Sequence, residues 1–136
     1  MPTQTAVGHF TCASWEERTV SPSEAGPKLT HASVANAFSG GLEAAVTTCE
    51  YTIVYVMEKS GTFTGMELLA GSLDGREGTF VAEGRGTFDA DGTVRCTFDV
   101  VPGSGSGELA GLRGTGTFTA EHGKPSVPYT FAYELG

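Results

Sequence analysis

Apolar residues recur at every second position along most of the chain, and compact turn signals interrupt them at short intervals. Such alternation predicts strands, because successive side chains of a strand point to opposite faces of a sheet. Helical periodicity is nearly absent. We therefore predict eight strands, at residues 5–16, 27–38, 44–58, 61–72, 77–89, 93–101, 112–120 and 128–135.

Hairpin signals lie between several of these strands, at residues 59–61, 74–75 and 89–92. The Asp and Gly residues in them supply the backbone geometry that tight turns require. Strands joined in this way pair with their neighbours as a meander, and closing the sheet into a barrel removes the edges that an open sheet exposes. We predict an all-β fold, an eight-stranded antiparallel β-barrel, with a β-sandwich as the alternative.

A loop rich in glycine and serine, followed by glycines at alternate positions, occupies residues 100–118. Glycine adopts positive φ angles and lets two chains approach closely, so the pattern indicates a sharp reversal that feeds a tightly curved strand. A phosphate-binding loop fits poorly, because no Lys-Ser or Lys-Thr pair follows the glycines and the next segment alternates at the period of a strand. We interpret this segment as a barrel corner.

The corner is similar to the GTG…ARG signature of allene oxide cyclase and dirigent barrels. The chain resembles still more closely a family of small bacterial proteins of unknown function, common in actinobacteria and placed in the same superfamily. The resemblance rests on the corner and on residues 14–17, 26–30 with 38–40, 63–67 with 71–80, and 128–135. It implies an allene oxide cyclase-like (calycin-like) barrel, a small hydrophobic ligand of the kind found in secondary metabolism, and a homodimer formed through the outer strands.

The chain of 136 residues has a formal net charge of −8, and its composition does not shift along its length. We expect a single domain over residues 1–136. Nucleic-acid partners are disfavoured, because phosphates are neutralised by clustered Lys and Arg, whereas the eight basic residues here are scattered. The N-terminus has neither a basic start nor an apolar run, so we expect no signal peptide, no membrane span and a cytoplasmic location.

Three cysteines, Cys12, Cys49 and Cys96, stand far apart and form no C-x-x-C pair. This usage fits reduced thiols, and their small or apolar neighbours predict that all three are buried. The cysteines and histidines show none of the short spacings of a structural zinc site. We therefore expect no metal site and no cofactor.

Residues 17–28 contain two prolines and few apolar positions, which predicts a loop that folds over one barrel mouth as a lid. Trp15 stands where the first strand enters this loop. It could floor a ligand pocket, although a lone tryptophan at a strand end more often covers core. Glu16 and Glu17 beside it are predicted to be a solvated pair.

Glu67 is the best candidate for chemistry inside the barrel. Alternation places it on one face with Phe63 and Leu69, but Met66 and Leu68 make the other face apolar too, so the pattern does not choose between the faces. In the resembling family the position of Leu68 often carries a charge, which implies that Glu67 faces the lumen. There its pKa would be raised and it could serve as a general acid or base; a solvated rim glutamate, or a buried one satisfied by a hydroxyl, is the alternative.

Glu50 lies in a segment whose more apolar stripe includes Tyr51 and Tyr55, and this places Glu50 outside. A bulge would exchange the faces, and Glu50 would then share one proton with Glu67. The tyrosine hydroxyls could donate to a substrate carbonyl or enolate. The candidate catalytic residues are therefore Glu67, Glu50 and Tyr51, and the candidate ligand-binding residues are Trp15, Phe63, Tyr55, His31 and Tyr133.

Three functions fit this picture. The first is a cofactor-independent cyclase or isomerase of a small hydrophobic metabolite, in which Glu67 and a lumen tyrosine stabilise developing charge. The second is a non-catalytic carrier or sensor of a small apolar molecule. The third is a packed structural barrel whose surface binds a protein or self-associates, with a lumen filled by large side chains such as Phe63, Phe80, Phe98, Phe118 and Phe131. We expect the first, because inward carboxylates and tyrosines cost more than a carrier would need.

Overall fold

The structure, a computed structural model, describes residues 3–21 and 26–135. The described residues form β-strands and the turns between them, and none of them lies in a helix. The strands are β1 (Gln4–Ser21), β2 (Lys28–Gly40), β3 (Leu42–Glu43), β4 (Thr48–Met57), β5 (Ser60–Leu73), β6 (Arg76–Phe88), β7 (Val94–Val100), β8 (Ser106–Gly107), β9 (Leu112–Ala120) and β10 (Ser126–Leu135).

The long strands pair in one closed ring. In the order β1, β2, β4, β5, β6, β7, β9, β10, each strand runs antiparallel to the next. Strand β10 then returns to pair with β1. The two-residue strands β3 and β8 attach to β5 and β6. Every long strand therefore has a hydrogen-bonded neighbour on both sides.

The all-β prediction is confirmed, and the eight predicted segments coincide with the eight long strands. Strand β1 runs beyond its predicted end, because its residues keep pairing with β2 as far as Ser21 opposite Leu29. Residues 17–21 of the predicted lid therefore belong to a strand, while residues 22–25 of that lid lie outside the described residues. Strands β3 and β8 were not predicted, since two residues carry no measurable period.

Large side chains fill one end of the ring, which we call the packed end. Phe131 lies at its centre and is fully buried. Its ring centroid lies 6.0 Å from that of Phe80, 5.7 Å from that of Phe98 and 5.6 Å from that of Tyr133. Aromatic side chains contribute large buried areas, so this cluster is a main source of stability.

The predicted barrel corner closes the packed end. Residues 101–111 connect β7 to β9, and β8 within this connection pairs with β6. Leu109 reaches the core from the connection and is 1% exposed. The glycine-rich loop is thus a structural cap that covers the interior.

The opposite end of the ring, which we call the open end, is bounded among the described residues by short connections at residues 58–59, 89–93 and 121–125. The core cluster here is smaller and includes Ile53 and Phe63. Inner-face side chains at this end border a cavity. The fold therefore builds a stable base beneath an accessible interior.

Candidate functional site

The cavity at the open end has a volume of about 740 Å³. Its wall is mainly apolar and includes seven aromatic side chains, Phe10, Trp15, Tyr51, Tyr55, Phe63, Phe88 and Phe118. Charged or titratable groups on its lining come chiefly from the connections, with Glu58, Lys59, Asp89, Asp91 and His122. Cavities of this size and chemistry are typical of sites for small organic ligands.

Strand alternation decides which side chains reach the cavity. On β2, every second residue from Thr30 to Asn36 is buried, and Val34 and Asn36 line the cavity. On β4, Tyr51 and Ile53 do the same. Because successive side chains alternate between faces, the residues between these positions project outward.

Glu50 and His31 lie on the outer face and do not line the cavity. The His31 Nε2 and Glu50 Oε1 atoms are 2.5 Å apart, and the hydroxyl of Ser33 donates to the same oxygen at 3.0 Å. The hydrogen bond with His31 is the main cause that lowers the pKa of Glu50. Glu50 pairs with Met66 in a regular part of the ladder. The alternative in which a bulge turns Glu50 toward Glu67 is therefore wrong, and so is the prediction that His31 contacts a ligand in the lumen.

Tyr133 is fully buried at the packed end. Its hydroxyl donates to Asp74 Oδ2 at 2.5 Å and lies 3.1 Å from Gln4 Oε1. Burial is the main cause that raises the pKa of Tyr133 to about 12. The prediction that Tyr133 binds a ligand is wrong, because its strand register places it beside Gln4 at the filled end of the ring.

Glu67 points into the interior, on the same face of β5 as Phe63 and Leu69. Its Oε2 atom accepts a hydrogen bond from Asn36 Nδ2 at 2.9 Å and one from Thr47 Oγ1 at 2.5 Å. Thr47 Oγ1 in turn accepts one from the backbone N–H of Asn36 at 3.1 Å. These three bonds form a closed hydrogen-bonded ring, and the structure settles the choice of faces that the sequence pattern left open.

Burial is the main cause that raises the pKa of Glu67, and the hydrogen bonds from Thr47 and Asn36 oppose this rise. Glu67 is not among the described residues that line the cavity. It borders a smaller gap of about 20 Å³, which Tyr51 also borders. Asn36 and Tyr51 line the cavity itself, so any effect of Glu67 on a bound molecule passes through them.

Glu17 gathers three hydrogen-bond donors beside the cavity. Its Oε2 atom accepts from Tyr55 at 2.6 Å and from Thr30 at 2.8 Å, while its Oε1 atom accepts from Trp15 Nε1 at 3.0 Å. Partial burial raises the pKa of Glu17, but the three hydrogen bonds outweigh burial and hold that pKa below its usual value. Glu17 is exposed, as predicted, but its carboxylate is held by these three hydrogen bonds, which the sequence did not predict. No local pattern could have found this role, because Thr30 and Tyr55 lie on other strands.

Trp15, Tyr51 and Phe63 form a continuous aromatic wall. The Tyr51 ring packs edge-to-face on Phe63 at 5.2 Å and lies 6.2 Å from the Trp15 ring. Trp15 is 50% exposed, whereas Phe63 is 8% exposed. Burial is the main cause that raises the pKa of Tyr51 well above its usual value, so its hydroxyl stays neutral and can donate a hydrogen bond.

The three thiols occupy two environments. Cys12 is exposed and lines the cavity, which corrects the prediction of a buried thiol, whereas Cys49 and Cys96 are buried. Burial is the main cause that raises the pKa of both Cys49 and Cys96 to about 12. Within residues 3–21 and 26–135, no group of three or more Cys, His, Asp or Glu side chains is placed to hold a metal ion. Nor does that part of the chain contain a helix long and apolar enough to cross a membrane.

Residues 6–133 match a family described as a protein of unknown function, DUF3224. Among solved structures, the chain is similar to the crystal structure, at 1.84 Å resolution, of a protein with unknown function from this family in Shewanella oneidensis MR-1. The two chains are 27% identical, each is covered over 99% of its length, and the TM-score is 0.79. A comparison with curated proteins found no match. Because the family match spans nearly the whole chain, the protein belongs to the DUF3224 family.

Proposed function

We propose that this protein binds a small apolar molecule in the cavity of an eight-stranded barrel of the allene oxide cyclase-like type. The barrel type rests on the closed ring of eight long strands and on the resemblance of the glycine corner. The cavity carries the functional proposal, because a volume of about 740 Å³ with aromatic walls suits a small organic ligand. A purely structural barrel would be filled at both ends, as the third hypothesis required.

The binding energy would come mainly from apolar burial. Removing apolar surface from water contributes roughly 25 cal/mol per Å² before the cost of immobilising the ligand. Trp15 and Phe63 supply flat apolar surface, and Tyr51 adds a hydroxyl beside them. The site therefore favours a molecule that is apolar over most of its length.

A neutral fluorescent probe, N-phenylnaphthylamine, tests this proposal directly. We expect saturable binding by the wild type and loss of about tenfold or more in affinity for Ala120→Trp, which places an indole in the cavity. Ala70→Trp is the matched control, because Ala70 lies exposed on the outer face of β5. Equal binding by Ala120→Trp and the wild type, or no binding by the wild type, would overturn the proposal.

Cys12 provides a second readout that does not depend on fluorescence. Its thiol is exposed and lines the cavity, whereas Cys49 and Cys96 are buried, so a maleimide should label Cys12 selectively in the folded protein. Probe binding in the cavity should slow this labelling. Labelling that the probe does not slow would place the bound probe elsewhere.

A cyclase or isomerase is the second candidate, favoured by the polar groups at the cavity wall. Tyr51 can donate a hydrogen bond to developing charge, and Asn36 links the cavity to Glu67. Glu67 would then be a positioning residue.

Molecules retained by protein from its own host should be identified by native mass spectrometry and tested for turnover by wild type, Tyr51→Phe and Glu67→Gln. A loss with Tyr51→Phe and an altered pH profile with Glu67→Gln would support catalysis, whereas an unchanged ligand would favour a carrier. The homodimer and the cytoplasmic location stay predictions.

A further inference from the structure

Asn36 is a buried polar side chain on the wall of an otherwise mainly apolar cavity. It is 4% exposed and lines the cavity from the inner face of β2. A buried amide costs free energy unless its polar atoms find partners. The partners of its two polar atoms therefore show what this position is built to do.

The hydrogen-bonded ring fixes the orientation of the Asn36 amide. Thr47 Oγ1 accepts the backbone N–H of Asn36, so its single proton is free to be donated to Glu67 Oε2. The same carboxylate oxygen accepts a second donor from the Asn36 side chain. Because Oε2 accepts the Thr47 proton, the Asn36 atom that faces this oxygen is the donor Nδ2 and not Oδ1.

The carbonyl oxygen of Asn36 is left free. No residue within 3–21 or 26–135 donates a hydrogen bond to Oδ1. Among the described residues, every fully buried side-chain oxygen or nitrogen has a hydrogen-bond partner. Oδ1 has no such partner, so it is not fully buried and is in contact with open space. Since Asn36 is nearly buried and lines the cavity, that open space is the cavity.

We infer that Asn36 Oδ1 is a specificity group that accepts a hydrogen bond from the inner end of the ligand. The ligand is therefore an apolar molecule that ends in a neutral hydroxyl or N–H group. This inference rests on the proposed binding function and narrows its ligand class. A ligand with a hydroxyl or N–H donor at its inner end should bind more tightly than a ligand of the same size that ends in an ether. An ether oxygen can only accept a hydrogen bond, and it would face Oδ1, which is an acceptor too.

The charges around the cavity disfavour a carboxylate ligand. Glu58, Asp89 and Asp91 are carboxylates on the lining, and the carboxyl group of Glu67 lies directly behind Asn36. Among the described lining residues, Lys59 is the only lysine or arginine. A fatty-acid carboxylate would therefore meet an acceptor and a nearby negative charge at the inner end of the cavity.

Three ligands of matched size separate these possibilities in displacement of N-phenylnaphthylamine: decanol, its isomer methyl nonyl ether, and decanoate. For each protein we measure the ratio of the Kd of the ether to the Kd of decanol. We expect this ratio to be about threefold to tenfold larger for the wild type than for Asn36→Leu. Asn36→Leu removes the acceptor while keeping a similar volume, so it should lose this preference. If this variant does not fold, the double variant Asn36→Leu/Glu67→Leu removes both polar partners and carries the same expectation.

Two further variants locate the preference. Glu67→Gln can still accept both donors through its amide oxygen, so it should keep the preference for decanol while binding decanoate more tightly than the wild type does. Tyr51→Phe should keep the preference as well. Loss of the preference in Tyr51→Phe but not in Asn36→Leu would overturn the assignment to Asn36, and unchanged decanoate binding by Glu67→Gln would overturn the role of charge.

The failure of this inference differs from the failure of the proposed function. If the wild type and Asn36→Leu have the same ratio of ether affinity to decanol affinity, the inference is overturned, while saturable binding of the probe still supports the proposed function. Absence of any probe binding would overturn both.

Discussion

The packed end and the open end of this protein are built from the same strands, yet only one of them is filled. At the packed end, Phe131 lies against Phe80 and Phe98. At the open end, Phe63 and Tyr51 form an aromatic contact that borders a cavity. Inward-facing aromatic residues therefore do not by themselves determine whether an interior is filled.

The connections make the difference. At the packed end, residues 101–111 fold across the ring and bring Leu109 into the core. At the open end, the connection between β4 and β5 is a two-residue turn at residues 58–59, and both of its residues are exposed at the border of the cavity. Stability and binding are thus assigned to different ends, and substitutions should affect them separately.

The largest effect is expected from Phe131→Ala at the packed end. Removing a fully buried ring leaves a cavity among Phe80, Phe98 and Tyr133, which should lower the free energy of unfolding by about 3–5 kcal/mol. Urea denaturation followed by tryptophan fluorescence measures this change. A loss below about 1 kcal/mol would show that the packed end is not the main source of stability.

Gly116→Ala tests the contribution of the packed end to stability with a smaller substitution, the addition of one methyl group. A Cβ atom at Gly116 would lie 2.1 Å from Cζ of the Phe98 ring, so the ring must move, at a cost of about 1–3 kcal/mol. Gly103→Ala is the control, because Gly103 has a φ of +83° and nothing within 4 Å of its Cβ position. It should cost about 1 kcal/mol from backbone strain alone. Gly116 has no positive φ, so a loss below about 0.5 kcal/mol for Gly116→Ala would mean that the Phe98 ring moves aside at little cost.

At the open end, Trp15→Ala should weaken binding of the probe while leaving stability almost unchanged. Trp15 is 50% exposed, so its loss should change the free energy of unfolding by less than about 1 kcal/mol. It also forms part of the cavity wall, so affinity for N-phenylnaphthylamine should fall about tenfold. Thermal unfolding and probe titration of one preparation measure both quantities. A large loss of stability with unchanged affinity would reverse the roles of the two ends.

The sequence predicted the strands of both ends better than it predicted the site. Alternation located the long strands because one face of each is apolar along most of its length. It failed at Glu67, because Met66 and Leu68 on the opposite face are apolar and yet 46% and 47% exposed. An exposed apolar residue is common on protein surfaces, so hydrophobicity alone could not assign the faces.

The polar contacts of the site depend on pairings between distant segments. Glu17 meets Tyr55 across β2, and Glu67 meets Asn36 across β4. The strand register that brings them together is set by the whole ring. A single sequence offered candidate residues such as Tyr51 and Glu67, but it could not show that Glu67 acts through Asn36.

The smallest effect is a difference in pH dependence between the inward and outward carboxylates. The pKa of Glu67 in the folded protein is raised by burial, so the folded state binds more protons than the unfolded state between about pH 4.3, the unfolded value, and that raised pKa. The contribution of Glu67 to stability is therefore full below this window and is lost as the pH rises through it. Glu67→Gln cannot titrate, so its stability relative to the wild type should increase across the same window.

Glu50→Gln is the matched control for this prediction, because the pKa of Glu50 is lowered by the hydrogen bond with His31. The stabilising contribution of Glu50 is present above its unfolded pKa of about 4.3 and is lost as the pH falls through its folded value. The difference between Glu50→Gln and the wild type should therefore change only on the acidic side, opposite in sign to that of Glu67→Gln. Urea denaturation from about pH 3 to about pH 8 measures both differences. Parallel curves for the two variants would mean that the interior of the open end treats a carboxylate no differently from the outer face.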